Sequence, residues 1–193
     1  MKFRTVFIAS ALILGGALAT HALTIRAQGD MEKVMKLVEP GEAHQLFADK
    51  VGKWNLKVKL TSPGAPEGES DATSEMKWVL DGRFVEENFN GSIAGQGVTG
   101  LGYTGYDNMK QKYVGTWMDN TTTGIVSLEG AYDAATKTFT YTGEMQDPVQ
   151  GKYVKMRSTE KVVDKDHMVM STYSPGPDGK EMRMMEVSYT RAK

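Results

Sequence analysis

Cysteine is absent from the 193 residues. That excludes a disulfide framework, a thiol nucleophile and a lipid anchor of the kind attached to cysteine. Histidine is nearly as scarce, with 3 in the chain. His21 falls in the N-terminal segment, and His44 and His167 stand far apart. No set of two or three converging imidazole metal ligands is therefore on offer. The Gly-x-Ser-x-Gly elbow of serine hydrolases is missing too. Neither sign of charge is in excess: 23 basic against 24 acidic residues give a net charge of −1, no footprint for nucleic acid.

What is present begins with an export pattern. Lys2 and Arg4 are followed by an apolar stretch from Val6 to Leu18 and by small-x-small cleavage candidates at Ala17-Leu18-Ala19, Ala22 and Ala27. This three-part pattern predicts a signal peptide over residues 1–22, with cleavage as late as 27, and a periplasmic or secreted product. The alternative is an uncleaved anchor, but the apolar stretch is short against the roughly 20 residues of a membrane span, and no stable span follows it. Losing Lys2 and Arg4 leaves 21 basic against 24 acidic residues, a net charge of −3.

Two short helices are expected over residues 23–50. Asp30 caps one with Met31, Val34, Met35 and Val38 on a single face. The other runs from Glu42 to Lys50 with Ala43, Leu46 and Phe47 on one side. Both read as a lid or plug on something larger. From Gly52 the period changes to two: Trp54, Leu56, Val58 and Leu60 alternate with Asn55, Lys57 and Lys59. Further strands are expected around Met76–Leu80, Arg83–Asn90, Val98–Tyr106, Lys112–Asp119, Gly124–Tyr132, Thr138–Met145, Lys152–Val163, His167–Ser174 and Glu181–Arg191. Ser62–Ser70 reads as a loop. The 21 glycines suit so many turns. About ten antiparallel strands on short connections leave no room for crossover helices. The expected fold over residues 51–193 is an all-β up-and-down barrel, with a β-sandwich as its rival.

Gly52-Lys53-Trp54 opens the first strand and resembles the Gly-x-Trp start of lipocalin-type barrels. That resemblance implies that Trp54 closes one barrel end against a basic residue of a late strand, here Arg191. A longer series is more specific: Gly82-Arg83-Phe84, Gly100-Leu101-Gly102, Gly105-Tyr106-Asp107-Asn108, Thr116-Trp117-Met118-Asp119, Tyr132-Asp133, Thr142-Gly143-Glu144 and Gly176-Pro177-Asp178-Gly179-Lys180-Glu181. Over nearly the whole mature chain this resembles the bacterial domain-of-unknown-function family 1579, grouped with calycin-like barrels. It implies the fold and no activity. The Gly-x-Trp opening is also similar to that of the haem-binding nitrobindin barrels, whose longer Gly-x-Trp-x-Gly-x-Gly pattern loses its later glycines here, where the chain reads Gly52-Lys53-Trp54-Asn55-Leu56-Lys57.

Candidate site residues follow from the barrel. Glu86 and Glu87 lie on opposite faces of one strand, so one of them points inward, where it must be paired, solvated or protonated. Arg157 is the expected partner of Glu87. Tyr103, Tyr113, Trp117, Tyr141 and Tyr189 either line a pocket or fill the core. Met168 and Met170 share one strand face, as do Met182 and Met184. A hairpin in register would set the two pairs side by side as thioether ligands for Cu(I), or as packing. With Val169, Tyr173, Met185, Val187 and Tyr189 as the inward set, that methionine face lies outside.

No cofactor is predicted; haem and Cu(I) are the two the residues leave open. The leading expectation is an exported lipocalin-like protein binding a small apolar or amphipathic molecule. A Cu(I)-binding envelope protein, a structural barrel without ligand, and an enzyme using Glu86 or Glu87 are the alternatives. A homo-oligomer stays open.

Overall fold

The computed structural model describes residues 29–62, 64, 68–148 and 150–193. The expected signal peptide lies outside the described residues. These divide into two compact units, one ending at Glu39 and one spanning Pro40–Lys193. In the first, residues 29–38 are helical (α1), with a Lys36–Glu32 ion pair of 2.9 Å along one face. None of the described helices is long and apolar enough to cross a membrane.

The second unit is a closed barrel of ten antiparallel strands. They are β1 (Gly52–Leu60), β2 (Ser70–Val79), β3 (Phe84–Ile93), β4 (Gln96–Asp107), β5 (Lys112–Asp119), β6 (Val126–Asp133), β7 (Thr138–Asp147), β8 (Lys152–Asp164), β9 (His167–Pro175) and β10 (Glu181–Arg191). Each strand pairs with its sequence neighbours, and β1 closes the cylinder against β10, so no edge is left open. The sandwich alternative is thereby excluded.

Alternation sets the inner face. Trp54, Leu56 and Val58 are buried between exposed Lys53, Asn55, Lys57 and Lys59. β2 begins at Ser70, six residues earlier than hydrophobicity suggests, because its first inward positions are the small Ala72 and Ser74. Bulges lie between Arg183 and Met185 on β10 and between Val162 and Asp164 on β8.

The β4–β5 and β6–β7 turns share one chemistry. Asp107 Oδ1 accepts the N–H groups of Met109 and Lys110, and Asp133 Oδ1 accepts that of Ala135. Four residues after each aspartate, Gln111 and Lys137 take φ of 53° and 52°. The carboxylate replaces the backbone acceptor that a left-handed turn would otherwise lack.

The expected helix from Glu42 to Lys50 is two separate turns instead: α2 (Glu42–Gln45) and a 3-10 turn (Ala48–Lys50). The break drops Phe47 into the barrel end, at 0% exposure, while Leu46 stays exposed. Phe47 stacks on Phe139 at 5.4 Å and meets Tyr113 edge-on at 5.5 Å, so this segment is a plug.

Candidate functional site

The plugged end is solid. Phe47, Tyr106, Tyr113, Tyr132 and Phe139 form one aromatic layer, mostly edge-to-face, with the Phe47–Phe139 pair stacked, the Tyr132–Phe139 pair tilted and ring centroids 4.6–6.4 Å apart. Trp54 closes the floor, donating from Nε1 to Lys50 O at 2.8 Å. Above this layer the inward side chains stop meeting in the middle. They leave a cavity of about 450 Å³, within the roughly 300–1,000 Å³ typical of small-molecule sites.

Six methionines line that cavity: Met76, Met118, Met145, Met156, Met170 and Met185. They are six of the 13 methionines in the chain. Unbranched thioethers adapt to irregular shapes, which suits a wall that must accept a guest. Trp117 forms another part of the wall, its ring lying flat where a Cβ on Gly100 would come within 2.3 Å. Asp119 Oδ2 accepts from Trp117 Nε1 at 2.8 Å and fixes the ring.

The deep end of the cavity is polar. Lys50, buried at 3% exposure, forms an ion pair with Glu160 and lies 5.4 Å from the Phe47 ring centroid. Glu87 Oε1 accepts from Ser74 Oγ at 2.7 Å and from the Tyr189 hydroxyl at 3.4 Å. Burial pushes the Glu87 carboxyl above its ordinary value; the Ser74 hydrogen bond and the charge of Lys50 oppose that only in part. Burial likewise raises Tyr189 well above the usual phenol, with Glu87 and Glu160 adding to it. Tyr141 is raised for the same reason, with Glu160 contributing. Among the described residues, the Tyr141 hydroxyl is the buried side-chain polar atom that has no hydrogen-bond partner.

The family model described as "Protein of unknown function (DUF1579)" matches residues 39–191, the plug and barrel together. The chain belongs to the DUF1579 family. Curated proteins give no sequence match. Among solved structures, Rv2717c from Mycobacterium tuberculosis matches this DUF1579 barrel with a TM-score of 0.60 at 12% identity, over 80% of this chain and all of that one. The S-type phycobiliprotein lyase CpeS from Guillardia theta matches with a TM-score of 0.54 at 12% identity, over 84% of this chain and 97% of its own. At such identity these likenesses show the fold alone.

The DUF1579 barrel sorts the sequence candidates into two groups. Glu87, Trp117, Tyr141 and Tyr189 come together around the cavity. Tyr113 points inward but belongs to the aromatic layer of the plug, where its hydroxyl donates to Ala43 O at 3.3 Å. Tyr103 lies on the outer face, donating to Glu86 at 2.8 Å beside a Lys77–Glu86 ion pair of 3.0 Å. Arg157 is also outside and does not pair with Glu87. It stacks on Tyr173 at 3.9 Å and grips both oxygens of Glu181 at 2.9 and 2.6 Å. Strand parity is the reason: Arg157 shares a face with Lys155 and Lys161, and Glu87 takes its positive neighbour from the plug.

The four paired methionines do not converge. Met168 stands opposite Tyr189 and Met170 opposite Val187, near the plug, whereas Met182 stands opposite Ser174 at the other end of the hairpin. Met168 and Met170 point inward, with Met185, Val187 and Tyr189 across from them, while Val169 and Tyr173 face out. Met184 keeps the outer parity of Glu186 and Ser188, and the bulge at Arg183/Met185 sets Met182 on the opposite parity from it. Among the described residues, no group of three or more His, Asp or Glu is placed to hold a metal ion. His44 is buried and accepts from Gly41 N–H at 3.0 Å, and His167 pairs with Asp164 at 2.9 Å on the surface.

Gly52, Trp54 and Arg191 meet at the barrel seam, where Trp54 and Arg191 are register partners. Sequence reasoning missed Lys50, Glu160 and Ser74. A signal for Glu160 was present, since it continues the inward parity of Met156, Ser158 and Val162 on β8. None marked Lys50, whose direction depends on the break between two helical turns.

Proposed function

We propose that this DUF1579 barrel is an exported binding protein of lipocalin-like design that encloses a small apolar or amphipathic molecule. The observation that carries the reading is the cavity of about 450 Å³, plugged at one end and walled largely by methionine and other apolar side chains. A barrel evolved only as a strut would gain from filling that space, because unfilled volume forfeits dispersion contacts. The rim lies at the ends of β1, β3 and β7 and in the β5–β6 connection, around Leu60, Ile93, Gln146 and Thr122, and gives a route in. Export rests on Lys2, Arg4 and the apolar stretch Val6–Leu18, and it places the ligand among molecules met in the periplasm or outside the cell.

Native mass spectrometry of protein purified from its own host tests the reading, with Gly115→Val as the control. Gly115 lines the cavity, and a Cβ there would meet nothing closer than 3.5 Å, so a side chain can begin at this point of the wall. The wild type is expected to carry a small molecule, or to take up the neutral fluorophore N-phenyl-1-naphthylamine, and Gly115→Val is expected to bind more weakly. Wild-type protein that is empty and takes up no apolar probe would overturn the proposal.

A further inference from the structure

The polar end of the cavity specifies more than apolar character. Its formally charged groups are one ammonium, Lys50, and two carboxylates, Glu87 and Glu160. Lys50 and Glu160 already neutralise each other. An anionic head arriving there would meet a spent cation and a second carboxyl, in a space where charges are poorly screened. Fatty-acid carboxylates are therefore the wrong guest.

What the floor lacks is a partner for an uncharged donor. Tyr141 is 1% exposed, lines the cavity, and its hydroxyl makes no hydrogen bond. An unsatisfied buried hydroxyl costs about as much as a lost hydrogen bond, so a ligand oxygen that reached it would gain about that much. Glu87 stands in the same floor, held at Oε1 by Ser74 and Tyr189. Burial favours its protonated form, which is itself a neutral donor and acceptor.

We infer that the cavity selects amphiphiles with an uncharged oxygen head, an alcohol or a ketone, which accepts from the Tyr141 hydroxyl beside Glu87 while the chain lies along the methionine wall. This rests on the binding reading above and narrows it to a chemical class. Nothing in it requires a metal or a reaction.

Four eight-carbon probes separate the head groups at constant tail: 1-octanol, 2-octanone, octanoate and octylamine, each competed against N-phenyl-1-naphthylamine at pH 7. Octanol and octanone are expected to bind at least tenfold more tightly than octanoate and octylamine. In Tyr141→Phe, the two neutral probes are expected to weaken about five- to tenfold, the worth of one hydrogen bond, with the charged probes unmoved. That variant keeps the ring and loses only a hydroxyl without a partner, so it folds at least as well as wild type. Octanoate or octylamine binding most tightly would overturn the head-group inference and leave the binding reading standing. So would equal affinity for all four, or a Tyr141→Phe protein that binds octanol unchanged. If no probe displaces the fluorophore and none enters the empty protein, the binding reading itself falls, and the inference with it.

Discussion

Arg191 lies flat over the indole of Trp54, its guanidinium carbon 4.1 Å from the ring centroid, across the seam where the last strand meets the first. From there it donates to three backbone carbonyls: Val51 at 2.8 Å, Asp49 at 2.7 Å and Lys165 at 2.8 Å. One planar fork thus ties the plug, β1 and the β8–β9 turn together. Gly52 is part of the same joint. Its φ is +136°, and a Cβ there would stand 2.4 Å from Arg191 Nη1. Arg191→Ala is expected to cost about 2 kcal/mol, from lost charge-assisted hydrogen bonds and the cation–π contact. Arg191→Lys recovers little, since an ammonium cannot span three carbonyls from above a ring. Urea unfolding of both, alone and combined with Gly52→Ala, checks the joint. The costs of Arg191→Ala and Gly52→Ala should sum to more than the double variant loses, because the clash requires the guanidinium.

Lys50 and Glu160 tie plug to barrel through an ion pair. Lys50→Met strands the Glu160 carboxylate at the cavity floor and is expected to destabilise by about 3 kcal/mol. The double variant Lys50→Met, Glu160→Leu removes both charges and should recover most of that loss. A thermal melt series of wild type, both singles and the double gives the coupling directly. Singles that cost no more than the double would show that the pair holds nothing in place.

The barrel was legible because alternation is a local signal. Trp54-x-Leu56-x-Val58 declares a half-buried strand without reference to anything else, and the aspartate turns at Asp107 and Asp133 say where the chain reverses. Ser70–Glu75 was the gap, because Ala72 and Ser74 point inward yet are too small to register as hydrophobic. The site was half legible. Parity put either Glu86 or Glu87 inside, but only closure of the barrel shows which. The Met182–Met184 pairing failed because a single bulge at Arg183/Met185 exchanges inside for outside, and no residue type marks it. Lys50 was hidden for a related reason: a lysine in a helical turn reads as solvated until the turn breaks.

His44 gives the plug a pH dependence of definite sign. Its Nδ1 accepts from Gly41 N–H at 3.0 Å, and its ring meets Tyr106 edge-on at 5.9 Å. Burial holds its pKa below the ordinary 6.5, and the positive charge of Arg83 acts the same way. The unfolded chain therefore binds a proton that the folded plug refuses. His44 contributes stability that is fully present above pH 6.5 and is lost as pH falls from there through the lowered folded value. His44→Gln keeps a side-chain acceptor for Gly41 and does not titrate. Melts from pH 7.5 to 5 should show wild type losing stability relative to the variant; parallel curves would mean that His44 is equally basic in both states.

Glu87 predicts the opposite slope. Burial raises its carboxyl above the ordinary 4.5 in the folded barrel, so here the folded state holds the proton more firmly. Its contribution is fully present below pH 4.5 and declines as pH rises through the raised folded value. Glu87→Gln has nearly the same shape, and its amide oxygen can still accept from Ser74 Oγ and the Tyr189 hydroxyl. The variant should match wild type at pH 4 and exceed it at pH 7, because the unfolded chain ionises at Glu87 more readily than the buried carboxyl does. Urea titrations at pH 4, 5.5 and 7 separate this from His44, whose effect grows in the acid direction. A difference that stays constant across the three pH values would mean that Lys50 compensates the Glu87 charge in full. The floor would then hold an ionised carboxylate, and the neutral-head preference would lose one of its two supports, with Tyr141 left as the other.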